Sequence, residues 1–63
     1  MIEVTPENIK KARLKAGQTV AQAAEIVHVS RDAWHRWERG NRKMPLASFE
    51  LYLFITGQAV IEI

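Results

Sequence analysis

Helix punctuation constrains this chain more tightly than any other feature of its sequence. Gly17, Gly40 and Gly57 each stand at the end of a stretch that opens with a helix-starting signal. Thr5-Pro6 offers a capping hydroxyl followed by the residue whose missing N–H is harmless in a first helical turn. Thr19-Val20-Ala21-Gln22 has the Thr-x-x-Gln form of a capping box, in which two side chains satisfy two orphan backbone donors reciprocally. Ser30 can cap a third helix, with Asp32 near its positive end. Pro45 opens a fourth. Glycine ends helices because it takes the left-handed conformation without a steric penalty. The spacing therefore predicts four helices and an all-α fold, with no strand pattern between residues 5 and 56.

The apolar positions say which faces are buried. Val20, Ala23, Ala24 and Val27 fall at i, i+3, i+4 and i+7, one stripe of the second helix. Ala33, Trp34 and Trp37 form the inner stripe of the third, leaving Arg31, Asp32, His35 and Arg36 outward. In the first helix Ile9, Ala12, Leu14 and Ala16 supply a modest set, partly needed for the core and too weak for a membrane-surface helix. The fourth is apolar almost all round, through Leu46, Ala47, Phe49, Leu51, Tyr52, Leu53, Phe54 and Ile55. A 63-residue domain buries only one face of such a helix, so the remainder predicts a partner chain. Ile2-Glu3-Val4 and Val60-Ile61-Glu62-Ile63 alternate as short β-strands do. They are expected to pair within the monomer or across a dimer, with frayed ends as the alternative.

Charge narrows the partner. The net charge of +2 is small, but all nine lysines and arginines lie in residues 10–15 and 31–43. Two such clusters fit either a polyanion, DNA first among them, or two solvated helix faces. The chain has no cysteine, which removes disulfides and thiolate metal sites and suits a reducing compartment. No apolar run spans a membrane, and Met1-Ile2-Glu3-Val4 lacks a signal-peptide pattern, so a soluble, cytoplasmic single domain over residues 1–63 is expected. His35 and Glu38 are spaced as metal ligands can be, but His28 is the only other histidine and no metal site is expected. Ser30, Asp32 and His35 contain the elements of a nucleophile relay, yet share one outward helix without a pocket-forming segment, which argues against an enzyme. No glycine-rich phosphate loop is present, and neither a cofactor nor a small-molecule ligand is expected.

From Thr19 to Gly40 the chain reads helix, short turn, helix. The run Val29-Ser30-Arg31-Asp32-Ala33-Trp34-His35-Arg36-Trp37-Glu38-Arg39-Gly40 resembles the V-S-x-x-x-φ-x-x-W-E-x-G signature of the Cro/repressor-type helix-turn-helix regulators. Ala24 matches the small residue of that family where the second and third helices cross. The resemblance spans about Ile9 to Leu53. Two positions depart from it: Val20 stands where relatives carry a phosphate-binding glutamine, and His28 where they carry a turn glycine.

The resemblance implies a four-helix, lambda-repressor-like DNA-binding domain with its helix-turn-helix at residues 19–39. It implies that Arg31, Asp32, His35 and Arg36 face base edges of double-stranded DNA. Arginine can bind guanine O6 and N7 bidentately and aspartate can accept from cytosine N4. Asp32 could alternatively orient Arg31. Gln18, Thr19, Gln22, Ser30, Arg39, Asn41, Arg42 and Lys43 are the implied phosphate contacts, and Arg13 with Glu38 an implied salt bridge between the first and third helices. A homodimer on a palindromic operator, most simply a repressor, would meet through Phe49, Tyr52, Leu53, Phe54, Val60, Ile61 and Ile63. The alternatives are a protein-interaction adaptor and an antitoxin-type regulator.

Overall fold

The computed structural model describes residues 3–58. Four helices follow in order, α1 (Pro6–Lys15), α2 (Val20–Ile26), α3 (Arg31–Arg39) and α4 (Leu46–Ile55). Among the described residues there is no strand. Glu3 and Val4 are irregular, while Ile2 and residues 60–63, assigned above to strands, lie outside the described residues.

The starting signals act as their chemistry predicts. The Thr5 hydroxyl accepts from the Asn8 N–H, and the Ser30 hydroxyl from the Ala33 N–H. Thr19 and Gln22 close a complete capping box, with Gln22 N–H on Thr19 Oγ1 and Thr19 N–H on Gln22 Oε1. Pro45, which has no side-chain acceptor, caps α4 without such a bond.

All four helices end by the same device. After α1, α3 and α4, glycines 17, 40 and 57 take φ of 70°, 78° and 75°. Each donates its N–H three residues back, and the next residue reaches five back, as in Gly40 to Trp37 and Asn41 to Arg36. At the end of α2 the same pair of bonds runs from His28 to Glu25 and from Val29 to Ala24. There the left-handed position, φ 61°, is held by His28. Histidine tolerates this region better than β-branched residues do, so the turn forms at some steric cost.

The core is Ile9, Ala12, Ala23, Ala24, Val27, Trp34, Trp37, Met44, Phe49 and Tyr52. Trp34 lies at its centre, with ring centroids 5.7 Å from Trp37 and 4.8 Å from Tyr52, both tilted. Such pairs add to the area they bury. Ala23 and Ala24 are completely or almost completely enclosed, so α2 can approach α3 closely. Ala33 and Val20, expected in buried stripes, are only half-buried, and of the expected α1 set Ile9 and Ala12 are buried while Leu14 is exposed.

Two polar clamps hold α4. The Tyr52 hydroxyl donates to Gln18 Oε1 at 2.8 Å, and Gln58 Nε2 donates to the Ala12 carbonyl at 2.9 Å. Both tie α4 to the end of α1 and the turn that follows it. This corrects the expectation for two proposed dimer residues. Phe49 and Tyr52 are buried inside the protomer, at 3% and 0% exposure, because they seal its core. The exposed large apolar side chains of α4 are Leu46, Leu51, Phe54 and Ile55.

Candidate nucleic-acid interface

α3 has two faces, and the inner one sets the position of the outer. Glu38 receives a forked pair of bonds from Arg13, Nε to Oε2 at 2.5 Å and Nη2 to Oε1 at 3.1 Å. The third arm of the fork, Nη1, donates to the Gln18 carbonyl. The Trp34 indole N–H donates to the same Glu38 Oε2 at 2.6 Å. A planar guanidinium and a planar carboxylate meeting in this way allow little rotation. α3 therefore cannot turn about its axis without breaking the fork or expelling Trp34 from the core.

The ionisation of this cluster follows from its contacts. Burial by itself would raise the Glu38 carboxyl, but bonds from Arg13 and Trp34, with the charges of Arg13 and Lys10, hold it below the ordinary value. The Glu38 bond is the main cause that raises Arg13, against its own burial. Burial pushes the Tyr52 hydroxyl up, opposed by the Arg13 charge. At neutral pH the pair is thus charged on both sides, and Arg13 is withdrawn from the basic cluster of α1. Lys10, Lys11 and Lys15 stay exposed.

With the inner face fixed, Arg31, Asp32, His35 and Arg36 are exposed on the other side. Asp32 pairs with Arg36, one helical turn on, with Oδ2 and Nε 2.9 Å apart. The expected alternative, in which Asp32 orients Arg31, is corrected: the i,i+4 spacing brings Arg36 under the carboxylate. His35 and Glu38 do not converge, since Glu38 turns inward and His35 outward. Arg39, Asn41, Arg42 and Lys43 continue the polar surface, all exposed, along the segment leaving α3.

The uncharged phosphate candidates are partly occupied. Thr19, Gln22 and Ser30, all exposed, each use a side-chain oxygen as a cap acceptor, and their O–H or N–H donors take no part in these bonds. Gln18 is half-buried, its amide oxygen taken by Tyr52. Sequence reasoning missed that bond, and it missed Trp34 as the second donor to Glu38. The latter had a visible signal, since Trp34 and Glu38 are four residues apart on one helix. The Gln18–Tyr52 bond joins residues 34 positions apart and had none.

The family model of a helix-turn-helix domain matches residues 7–53. No curated protein matches the chain. No solved structure matches it either.

Proposed function

The chain belongs to the helix-turn-helix family of DNA-binding domains, and from that premise we propose that it is a small transcriptional regulator that reads the major groove through α3. The observation that carries the reading is the exposed row Arg31, Asp32, His35 and Arg36, held outward by the Arg13–Glu38–Trp34 lock. In the proposed complex these side chains face base edges. Arg39, Asn41, Arg42 and Lys43 hold the phosphate backbone and set the register, helped by the donors of Thr19, Gln22 and Ser30 and by the amide of Gln18. Val20 supplies no polar group where relatives bind a phosphate. The proposed anchoring therefore shifts toward the segment after α3.

The protein acts as a homodimer on a palindromic operator, with two recognition helices about one helical turn, roughly 34 Å, apart. Leu51, Phe54 and Ile55, apolar and exposed on α4, support a partner chain there, with half-buried Leu53 beside them. Val60, Ile61 and Ile63, the other expected contacts, lie outside the described residues. Occupying a promoter, such a dimer represses by excluding polymerase from the cytoplasmic chromosome. The role is binding, not catalysis, and involves no cofactor.

An adaptor of the same fold would present apolar side chains on the outward face of α3, and this face is charged. Selection from random duplex DNA tests the reading. Enrichment of a palindrome with half-sites about 10 base pairs apart is expected. Recovery of no preferred sequence would overturn it in favour of the adaptor.

A further inference from the structure

We propose that Asp32 and Arg36 read DNA as one composite unit, with Asp32 as the residue that gives the unit its selectivity at the expense of affinity. The inference rests on the DNA-reading proposal above and goes beyond it in assigning different roles to the charged residues of α3.

The geometry is that of an ion pair between residues one helical turn apart on the outward face of α3. The Asp32 carboxylate pairs with Arg36, Oδ2 2.9 Å from Nε, without the alignment of a hydrogen bond. Among the described residues Arg36 Nη1 and Nη2 have no hydrogen-bond partner, and the edge they form matches the two acceptors O6 and N7 of a guanine. Asp32 precedes Arg36 by four residues, the order in which an acid and a base on one helix attract best. In water such a pair is weak, because both side chains are more than half exposed, 71% for Asp32 and 56% for Arg36. Its effect grows when the groove excludes water, since the same charges then interact through a lower dielectric. The pair is therefore a device for the bound state and not for the stability of the helix.

Asp32 also selects on its own account. Its second oxygen, Oδ1, is free to accept from the exocyclic amine of a cytosine beside the guanine. Against thymine O4 or guanine O6 at that position the same oxygen meets another acceptor, and a carboxylate near phosphates repels every sequence alike. A repulsive element of this kind lowers affinity for all DNA but lowers it least at the right bases. Arg31, on the same surface, has no such partner among the described residues, and its contribution is that of an unrestrained cation.

Asp32→Asn keeps the size and a hydrogen-bonding oxygen while removing the charge. Binding to random duplex DNA by this variant should tighten several-fold, and the ratio of operator to random affinity should fall roughly tenfold. The relaxation should map to the base pairs at which Arg36→Ala also relaxes selection, with an adjacent position added. In the Asp32→Asn, Arg36→Ala double variant the two losses should not add, because the first substitution already removes the charge paired with Arg36. Thermal midpoints measured alongside separate these effects from a loss of folding.

An Asp32→Asn protein that keeps the wild-type operator-to-random ratio would reduce Asp32 to an acid at a helix start and overturn the inference, while leaving the DNA-reading proposal intact. Additive losses at unrelated base pairs would overturn it as well. If the wild-type protein itself selects no sequence, the premise fails first, and that outcome is read before any variant is made.

Discussion

α3 and α4 are nearly equal in length, nine and ten residues, yet they treat their two faces in opposite ways. α3 sorts its side chains by chemistry, with Trp34 and Trp37 inside and Arg31, Asp32, His35 and Arg36 outside. α4 does not sort. Phe49 and Tyr52 are inside, and Leu51, Phe54 and Ile55 are exposed. An outward face of charges is stable in water and suited to a polyanion, whereas an outward face of large apolar groups gains by being covered. The two helices thus divide the molecule's surface between a charged face and an apolar one. The inner faces make this possible, because both helices are anchored by the same cluster: Glu38 and Trp34 on α3, Tyr52 on α4, and Arg13 and Gln18 between them.

The strongest way to break the contrast is to empty its shared centre. Trp34→Ala removes the largest fully enclosed side chain and the second donor to Glu38. It should cost about 3–5 kcal/mol, enough to unfold most of a domain this small. Denaturant titration followed by circular dichroism measures this. A loss below about 1 kcal/mol would mean that the faces of α3 are not set by the core.

A smaller effect comes from acid. Glu38 has a folded-state carboxyl below its ordinary value, so its contribution is complete above that value and is lost as pH falls through the lower folded one. Stability should therefore decline below about pH 4, and Glu38→Gln should flatten that decline. At neutral pH the same substitution should cost on the order of 2 kcal/mol. That is less than a fully buried pair would lose, because the Arg13 and Glu38 side chains retain 13% and 7% exposure. Thermal melts across the acid range read both arms. An unchanged acid slope in the variant would show that other carboxylates dominate it.

How far the sequence displayed this arrangement depends on the range of the interactions involved. Helix starts and stops rest on neighbours within five residues, and Thr5, Thr19, Ser30, Gly17, Gly40 and Gly57 all declare themselves. The strained turn does not: His28 carries no stop signal of its own, and only the resemblance, in which relatives place a glycine there, marks the left-handed position the structure shows. The outward row on α3 follows from helical period alone. What stays hidden is which face of an all-apolar helix turns inward. Periodicity carries no signal in α4, so Phe49 and Tyr52 could not be distinguished from Phe54 without knowing where Trp34 stands. Gln18 is similar: a polar residue beside a helix start reads as a surface group, and only the fold brings the Tyr52 hydroxyl to it.

The exposed face of α4 gives the mildest and most specific test of the comparison. Phe54 is 65% exposed and makes no part of the core cluster. Phe54→Ser should then leave the fold of each protomer nearly untouched, within about 0.5 kcal/mol, as surface substitutions do. If α4 is the proposed dimer face, each copy loses an aromatic side chain from the interface, and association should weaken by roughly tenfold or more. Sedimentation at graded concentrations measures the association. The midpoint of thermal unfolding should depend on protein concentration in the wild type and less so in the variant, because dimerisation stabilises only the folded chain. Operator binding should weaken in step with association, while binding of a single half-site should not change. Unaltered sedimentation would leave α4 a tolerated apolar surface, and the division between a wet face and a dry one would hold for α3 alone.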